Sequence, residues 1–142
     1  MARDYYMKQI PGLLDSFKKA KVVFLTTFTE TGEEHSRKMT NLNEDLSTII
    51  WFPTYKNTKK VREISNNPRT LITFPGENQG EFYEIEGDAK IETGEQVENK
   101  WFWWYLYWRP SQRNRFWFPA GKHPDWVIIN IHPVSAKLIK KG

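Results

Sequence analysis

The sequence predicts a mainly β, α+β fold: an antiparallel barrel with helices packed against its outside. Segments rich in β-branched and aromatic residues dominate the chain, and most of them follow one another through short turns. The strand–helix–strand alternation that builds a doubly wound parallel sheet is missing from the pattern. An antiparallel barrel with flanking helices is therefore the architecture we expect.

The predicted elements begin with a helix and a hairpin. A helical pattern covers residues 4–20, and Pro11 and Gly12 divide it into two pieces. Thr31-Gly32 is a turn signal between two predicted strands. The nearly continuous apolar run at residues 48–53 indicates a third strand, buried on both faces. The three strands predicted in this way are residues 22–28, 35–42 and 48–53.

A short helix is predicted over residues 57–66, because Val61 and Ile64 lie three positions apart on one face. Residues 81–92 alternate apolar and acidic side chains, as a half-exposed strand does. Gly87 within this strand indicates a bulge or a close backbone approach. The remaining elements are a strand at 70–74, a helix at about 95–108 capped by Thr93, a strand at 126–131 and a short strand at 136–139.

Length and composition favour one domain. The chain has 142 residues, 15% of them aromatic, so residues 1–142 are expected to fold together around an aromatic-rich core. It has no cysteine, which excludes disulfides, thiolate nucleophiles and cysteine-ligated metals. The 21 basic and 17 acidic residues give a net charge of +4. That charge suits an anionic ligand but gives little support for nucleic-acid binding.

No membrane partner is expected, since no apolar run approaches the roughly 18 residues that a spanning helix needs. The opening MARDYYMKQIPGLL is too acidic and aromatic for a signal peptide. A cytoplasmic protein is the resulting expectation.

The common catalytic motifs are missing from the sequence, including glycine-rich phosphate loops and the nucleophile elbow. His35, His123 and His132 are far apart and lack metal-ligand spacing, so no metal site is expected. We expect His35, beside the turn, to face solvent and His132, at a strand end, to be structural. If the protein is an enzyme, a cofactor should therefore carry the chemistry.

The best candidate for an anion site lies in the first half of the chain. Thr58, Lys59 and Lys60 open the predicted short helix, where free N–H groups and the helix dipole favour phosphate. Arg37, on the second strand, adds a cation that can bind an anion bidentately. If the strands of Arg37 and Thr54 are neighbours, one phosphomonoester could be held from two sides. Spacing alone favours a simpler interpretation, in which Thr58 caps the helix and the lysines are solvated.

An ordered series of motifs extends this segment. It contains an Arg-led strand, an aromatic strand ending in Thr, a Thr-x-Lys helix start, an Asn-Pro pair and a Gly-x-Ala strand. The corresponding residues are Arg37–Met39, Ile50–Thr54, Thr58–Lys60, Asn67–Arg69 and Ile85–Ala89. This series resembles the FMN-binding split-barrel family related to pyridoxamine 5′-phosphate oxidase. Residues 117–133 are similar to its general-stress-protein branch.

The resemblance implies an antiparallel split β-barrel that forms a homodimer, with each FMN shared between two subunits. The family match assigns Arg37 to the FMN phosphate and the backbone of the next three residues to the edge of the flavin. Trp117 is the matching candidate for a contact made across the interface. The full implied cofactor set is Arg37, Lys38, Met39, Thr40, Pro53, Thr54, Thr58, Lys59, Lys60 and Trp117.

Two departures from the family pattern limit the function. Phe82 stands where the oxidase has a flavin-contacting Gln, and the Arg-x-His-x-Arg substrate motif is missing from the C-terminal part. We therefore expect a small FMN-dependent oxidoreductase, with NAD(P)H as the expected electron donor, and not a true pyridoxamine-phosphate oxidase. Its catalytic residues stay unassigned. The alternatives are a non-catalytic flavin-binding stress or sensor protein, or the same barrel using F420 or heme.

The aromatic run WFWWYLYW at residues 101–108 also has two interpretations. As a helix it would supply core and dimer-interface contacts, which is the simpler interpretation. Alternatively, Trp103, Trp104 and Trp117 would wall a pocket over the flavin ring. A nucleic-acid surface formed by these aromatics and the arginines of residues 109–115 is the least favoured.

Overall fold

The computed structural model describes residues 10–41, 43, 49–94, 97 and 126–140. The order of its elements agrees with the predicted order over these residues. The elements are α1 (Leu13–Lys19), β1 (Val22–Phe28), β2 (Glu34–Thr40), β3 (Ile50–Tyr55), α2 (Lys59–Asn66), β4 (Arg69–Pro75), β5 (Glu81–Glu92) and β6 (Trp126–Lys140).

The strands form one antiparallel sheet in the order β2-β1-β4-β5-β6-β3. Every pairing along it is antiparallel, and the sheet curls into an open half-barrel with α1 and α2 beside it. β2 and β3 are the two edges of the sheet that the structure describes. The predicted antiparallel split barrel with flanking helices is confirmed.

The core lies between the sheet and α1. Phe17 of α1 meets Phe74 of β4 edge-on, with ring centroids 5.4 Å apart, and Phe74 stacks on Tyr83 of β5 at 5.6 Å. The Tyr83 hydroxyl donates a hydrogen bond to the carbonyl of Pro11 at 2.5 Å. Gly12 precedes α1 with a φ of 79°, so the helix starts directly after Pro11 and Gly12, where the sequence predicts an interruption.

Two asparagines link the segment after β2 to β3 and α1. The side chain of Asn43 donates to the carbonyl of Trp51 and accepts from its N–H, both at 3.0 Å. Asn41 accepts two hydrogen bonds from Asn43, and its own amide donates to the carbonyls of Phe17 and Ala20. These contacts connect the two edges of the open barrel and so fix how β2 faces β3.

The β5–β6 pair bends at Gly87, where the register shifts. A Cβ at Gly87 would lie 2.5 Å from Cγ2 of Ile131 and 2.9 Å from the carbonyl oxygen of His132. The bulge and close approach predicted at Gly87 are confirmed. β6 continues through this point as one strand, so it joins the two strands predicted at 126–131 and 136–139.

Other boundaries differ by one or two residues. The second and third strands are residues 34–40 and 50–55, and the short helix starts at Lys59. Apart from Val97, the helix predicted at 95–108 lies outside the described residues, as do its aromatic run and the first residues of the predicted 4–20 helix. No helix in the described part of the chain combines the length and apolar character needed to cross a bilayer.

Candidate functional site

The inner face of the β1–β2 hairpin changes from apolar to polar along its length. The register pairs Leu25 with Arg37 and Thr27 with His35, and directly paired side chains lie on the same face of a sheet. Thr27 is fully buried, whereas His35 and Arg37 are half-buried. The hairpin therefore brings a hydroxyl, an imidazole and a guanidinium together near its turn.

α2 adds a buried carboxylate to this group, since Glu63 is only 7% exposed. Its Oε1 accepts a hydrogen bond from the Thr27 hydroxyl at 3.0 Å and from Arg37 Nη2 at 3.3 Å. Its Oε2 accepts from Nδ1 of His35. Arg37 Nη1 also donates to Thr27 Oγ1 at 2.8 Å. We call these four side chains, Thr27, His35, Arg37 and Glu63, the Glu63 network.

The Glu63 network keeps its carboxylate charged. Burial opposes ionisation, but the hydrogen bonds from His35 and Thr27 and the charges of His35 and Arg37 outweigh it, so the pKa of Glu63 falls below 4.5. An ionised carboxylate can only accept hydrogen bonds. The ring of His35 therefore carries a hydrogen on Nδ1.

Lys60, in the first turn of α2, brings a second cation to the network. It lies three residues before Glu63, which places both on one side of the helix. Loss of solvation and the positive charge of Arg37 both lower the pKa of Lys60 below 10.5. Among the described residues Lys60 has no ion pair. The site thus holds two positive charges, on Arg37 and Lys60, and one buried negative charge, on Glu63.

Arg37 keeps hydrogen-bonding capacity for a ligand. A guanidinium has five N–H donors, and within the described residues Arg37 uses one for Thr27 and one for Glu63. These two bonds fix the plane of the guanidinium, and that plane sets the direction of the remaining N–H donors. Such a group can bind a phosphate or carboxylate with two parallel hydrogen bonds.

The corner between β3 and α2 carries two further residues of the predicted site, Thr54 and Thr58. Thr54 is buried near the end of β3. Thr58 precedes α2 in an extended conformation, but it makes no side-chain capping bond; its hydroxyl donates to the carbonyl of Tyr55 at 3.0 Å. This bond fixes the helix start to the strand end. To donate to a phosphate, the Thr58 hydroxyl must turn away from Tyr55.

Other predicted residues take different positions. Arg37 and Thr54 lie on the two opposite edges of the sheet, so the condition that their strands are neighbours is not met. Lys59 is exposed and borders an open cleft of about 430 Å³, whose lining does not include Arg37. The other residues lining that cleft are Thr29, Glu30, Thr31, Arg62, Glu63 and Asn66.

The remaining predicted residues divide between strand faces. Met39 packs against the core, whereas Lys38 and Thr40 are exposed, as the alternation of a strand requires. Pro53 is buried on β3, an edge strand of the described sheet, where a proline is tolerated. Trp117 lies outside the described residues.

The sequence prediction missed two members of the site. His35 is 25% exposed and bonded to Glu63, so the expectation that it faces solvent is wrong. Glu63, the one acid between Lys56 and Arg69, is not among the predicted site residues. Two spacing signals could have found them: His35 alternates with Arg37 on one strand face, and Glu63 lies one helical turn after Lys60 beside buried Ile64.

Within the described residues, no three His, Asp or Glu side chains cluster in a way that could hold a metal ion. The cations that do cluster, Arg37 and Lys60, suit an anion with several oxygen acceptors.

Comparison with known proteins agrees with this architecture. A family model described as pyridoxamine 5′-phosphate oxidase like matches residues 8–140. General stress protein 26 of Bacillus subtilis strain 168 is 34% identical over 133 residues, which are 92% of this chain and 87% of that protein.

Two solved structures share the fold. General stress protein 26 from Bacillus anthracis strain Sterne superposes with a TM-score of 0.64 at 21% identity, over 99% of this chain and 100% of that one. A pyridoxamine 5′-phosphate oxidase-related, FMN-binding protein from Nostoc punctiforme PCC 73102 gives 0.63 at 15% identity, over 98% and 80% of the two chains. The match to the family model and the 34% identity to the Bacillus subtilis protein show that the chain belongs to the pyridoxamine 5′-phosphate oxidase-like family.

Proposed function

We propose that this protein binds FMN, with Arg37 and Lys60 holding the phosphate, and acts as a small flavin-dependent oxidoreductase. The observation that carries the proposal is the Lys60 ammonium, half-buried beside Arg37 with no ion pair among the described residues. Two cations held together out of water destabilise a fold. A bound dianion offsets that cost, because it interacts favourably with both charges.

The chemistry of the neighbouring groups supports a phosphate. The helix start at Lys59 and Lys60 offers backbone N–H groups and the positive end of a helix dipole. Thr58 makes no side-chain cap over that start. Arg37 adds the planar donor set that matches phosphate oxygens.

The flavin ring is proposed to lie along the edge of β2. Because β2 is an edge strand of the described sheet, alternate backbone N–H and C=O groups point away from β1. The register and the flanking hydrogen bonds place the backbone groups of Met39 towards β1 and those of Lys38 and Thr40 on the free side. We therefore propose that Lys38 and Thr40, on either side of Met39, bond the polar rim of a flat ring, and that Pro53 and Thr54 are contacts from β3. The FMN-binding protein from Nostoc punctiforme, which has the same fold, supports this choice of cofactor.

Bound FMN would supply two-electron chemistry, accepting hydride from a reduced nicotinamide and passing the electrons to a small acceptor. The residues of this chain bind and orient the cofactor. Pyridoxamine phosphate is not the proposed substrate, because the family's Arg-x-His-x-Arg substrate motif is missing from the sequence.

A homodimer with the flavin at the subunit interface is part of the proposal, with Trp117 as a contact supplied across it. Light scattering on the flavin-loaded protein tests this, and a monomer that binds flavin tightly would contradict it. A cytoplasmic location and a single domain over residues 1–142 remain predictions.

The decisive experiment is a visible absorbance spectrum of the purified protein, recorded before and after addition of FMN and desalting. Retained flavin absorbance and quenched FMN fluorescence are expected. A Soret band would indicate heme, and a single deazaflavin band would indicate F420. Absence of any retained chromophore, together with unquenched FMN fluorescence, would overturn the proposal.

The site assignment is tested with R37A/K60A. We expect FMN affinity to fall by at least about tenfold, because charge-assisted hydrogen bonds are lost. The matched control is K18A/K90A, which removes the same charge at two exposed lysines on α1 and β5 and should bind FMN as the unaltered protein does. Turnover of NADH or NADPH then distinguishes an oxidoreductase from a non-catalytic flavin-binding protein. The non-catalytic protein is the second candidate function, because the substrate motif is missing from the sequence.

A further inference from the structure

We infer that Glu63 is the positioning residue of the phosphate site, holding the Arg37 guanidinium in place without contacting the ligand itself. This inference rests on the proposed function and assigns a role to a buried carboxylate that the family motifs do not include. Its basis is the hydrogen-bond geometry of the Glu63 network.

The guanidinium of Arg37 is fixed at two points. Nη1 donates to the Thr27 hydroxyl and Nη2 donates to Oε1 of Glu63, and the Thr27 hydroxyl donates to that same Oε1. The three side chains therefore form a closed ring of hydrogen bonds. Two contacts determine the plane of a guanidinium. A single contact would leave the plane free to rotate, because the side chain is long and flexible.

His35 fixes the carboxylate in turn. Its Nδ1–H donates to Oε2 of Glu63, so both carboxylate oxygens are engaged and the carboxylate cannot rotate away from Arg37. The opposite ring nitrogen of His35 lies 3.5 Å from a carboxylate oxygen of exposed Glu33. Pre-organisation of this kind lowers the entropy lost when a ligand binds.

Charge alone predicts the opposite role for Glu63. The charged and titratable groups described around it are Arg37 and His35 on β2, Lys60 on its own helix, Glu33 beyond His35, and Glu30, Lys59 and Arg62, which line the cleft with it. Removing a negative charge from this set makes the site more positive, which by electrostatics would strengthen phosphate binding. Positioning predicts weaker binding. The sign of the change therefore distinguishes the two roles.

The experiment titrates flavin fluorescence for E63A and E63Q with two probes, FMN and riboflavin, which lacks the phosphate. We expect E63A to weaken FMN binding by about tenfold and to leave riboflavin binding unchanged. Gln keeps an acceptor oxygen for Thr27 and Arg37, so E63Q should restore part of the loss. The control E30A removes an equal charge at an exposed acid beside the same helix and should leave both affinities unchanged.

A double-mutant cycle links the effect to Arg37. If Glu63 acts through Arg37, E63A should add nothing to the loss that R37A already causes. Persistence of the full E63A effect in the R37A protein would overturn the inference. FMN binding by E63A or E63Q that is equal to or tighter than that of the unaltered protein would overturn it as well.

The side chain of Arg37 gives a readout that needs no ligand. In ¹⁵N NMR of the unliganded protein, we expect slowly exchanging Arg37 Nη–H signals, because Nη1 and Nη2 make the two bonds to Thr27 and Glu63; the Nη2 signal should be lost in E63A, and a retained signal would contradict positioning. An unaltered protein that binds neither FMN nor riboflavin would overturn the flavin function itself. If the inference fails but the flavin function holds, the unaltered protein and E63A should both bind FMN tightly.

Discussion

Arg37 Nη1 lies 2.8 Å from the hydroxyl oxygen of Thr27, its diagonal neighbour across the β1–β2 hairpin. The register makes this contact available, because Thr27 pairs with His35, two residues before Arg37, and diagonal positions are within reach of a long side chain. Hairpin register thus orients the guanidinium towards α2 before any ligand arrives.

Replacement of Thr27 by Val should test this orientation without changing charge. The substitution keeps the branched shape but removes a buried hydroxyl that both donates to Glu63 and accepts from Arg37. We expect the free energy of unfolding to fall by about 1–3 kcal/mol, as measured by urea denaturation. FMN affinity should fall with it, as measured by fluorescence titration.

T26V is the matched control, since Thr26 is also buried on β1 but lies on the other face of the strand. It should leave FMN affinity unchanged. Equal FMN affinities for T27V and the unaltered protein would show that the Thr27 contact does not orient Arg37 for binding.

Replacement of Lys60 by Met should separate stability from binding. Burial and the charge of Arg37 lower the pKa of Lys60, so the unfolded chain holds this proton more tightly than the folded protein does. The stability of the unliganded protein should therefore rise as the pH increases through the lowered pKa towards 10.5. K60M should remove this dependence, raise the stability of the unliganded protein at neutral pH and weaken FMN binding.

Denaturation across neutral to alkaline pH, without and with FMN, measures both effects. K18M, at an exposed lysine of α1, serves as the control and should keep the pH dependence of the unaltered protein. A K60M protein that is less stable without ligand and binds FMN normally would show that Lys60 serves the fold and not the phosphate.

Glu63 should make the protein sensitive to acid. Its pKa lies below 4.5 in the folded state because the hydrogen bonds and charges around it outweigh burial. Its contribution to stability is therefore complete above the unfolded value and is lost as the pH falls through the folded pKa. E63Q should show a weaker decline of unfolding free energy below about pH 4.5 than the unaltered protein.

Urea denaturation at a series of acidic pH values measures this difference. E30Q, at an exposed glutamate, is the control and should follow the unaltered protein. An E63Q protein with an unchanged acid profile would mean that Glu63 is not held charged by the network.

The sequence predicted those features that depend on local patterns. Alternation along residues 81–92 gave β5, and the position of Gly87 within it gave the bulge. Both features depend on neighbours within a few residues, which periodicity and composition register directly. The order of motifs predicted the split barrel through the family resemblance, whereas the placing of Arg37 and Lys60 in one phosphate site stays a prediction.

Contacts between distant segments were less predictable. The Thr27–Glu63 hydrogen bond joins residues 36 apart, and no local pattern encodes such a pairing. For the same reason, the sequence leaves open whether the strands of Arg37 and Thr54 are neighbours, and in the structure β3 pairs with β6 and not with β2. Strand order depends on which distant edges meet.

The continuity of β6 has a specific explanation. The sequence predicts two strands, at 126–131 and 136–139, and the gap between them contains Pro133, which lacks a backbone N–H. In the structure it lies opposite Gly87 at the register shift. Ser135 pairs with Glu86, so Val134 is the extra residue of the bulge, and it is 49% exposed. The bulge accommodates the proline without ending the strand.

Replacement of Gly87 by Ala should therefore destabilise the barrel without touching the site. Its Cβ would lie 2.5 Å from Ile131 Cγ2 and 2.9 Å from the backbone oxygen of His132, and backbone in the middle of a sheet cannot move aside easily. We expect a loss of about 1–3 kcal/mol in the free energy of unfolding, measured by urea denaturation. The control is D88A at the exposed neighbouring position, which should cost under about 0.5 kcal/mol. Equal stability of G87A and D88A would mean that β6 does not press against Gly87, and the continuous fifteen-residue strand would then need a different pairing.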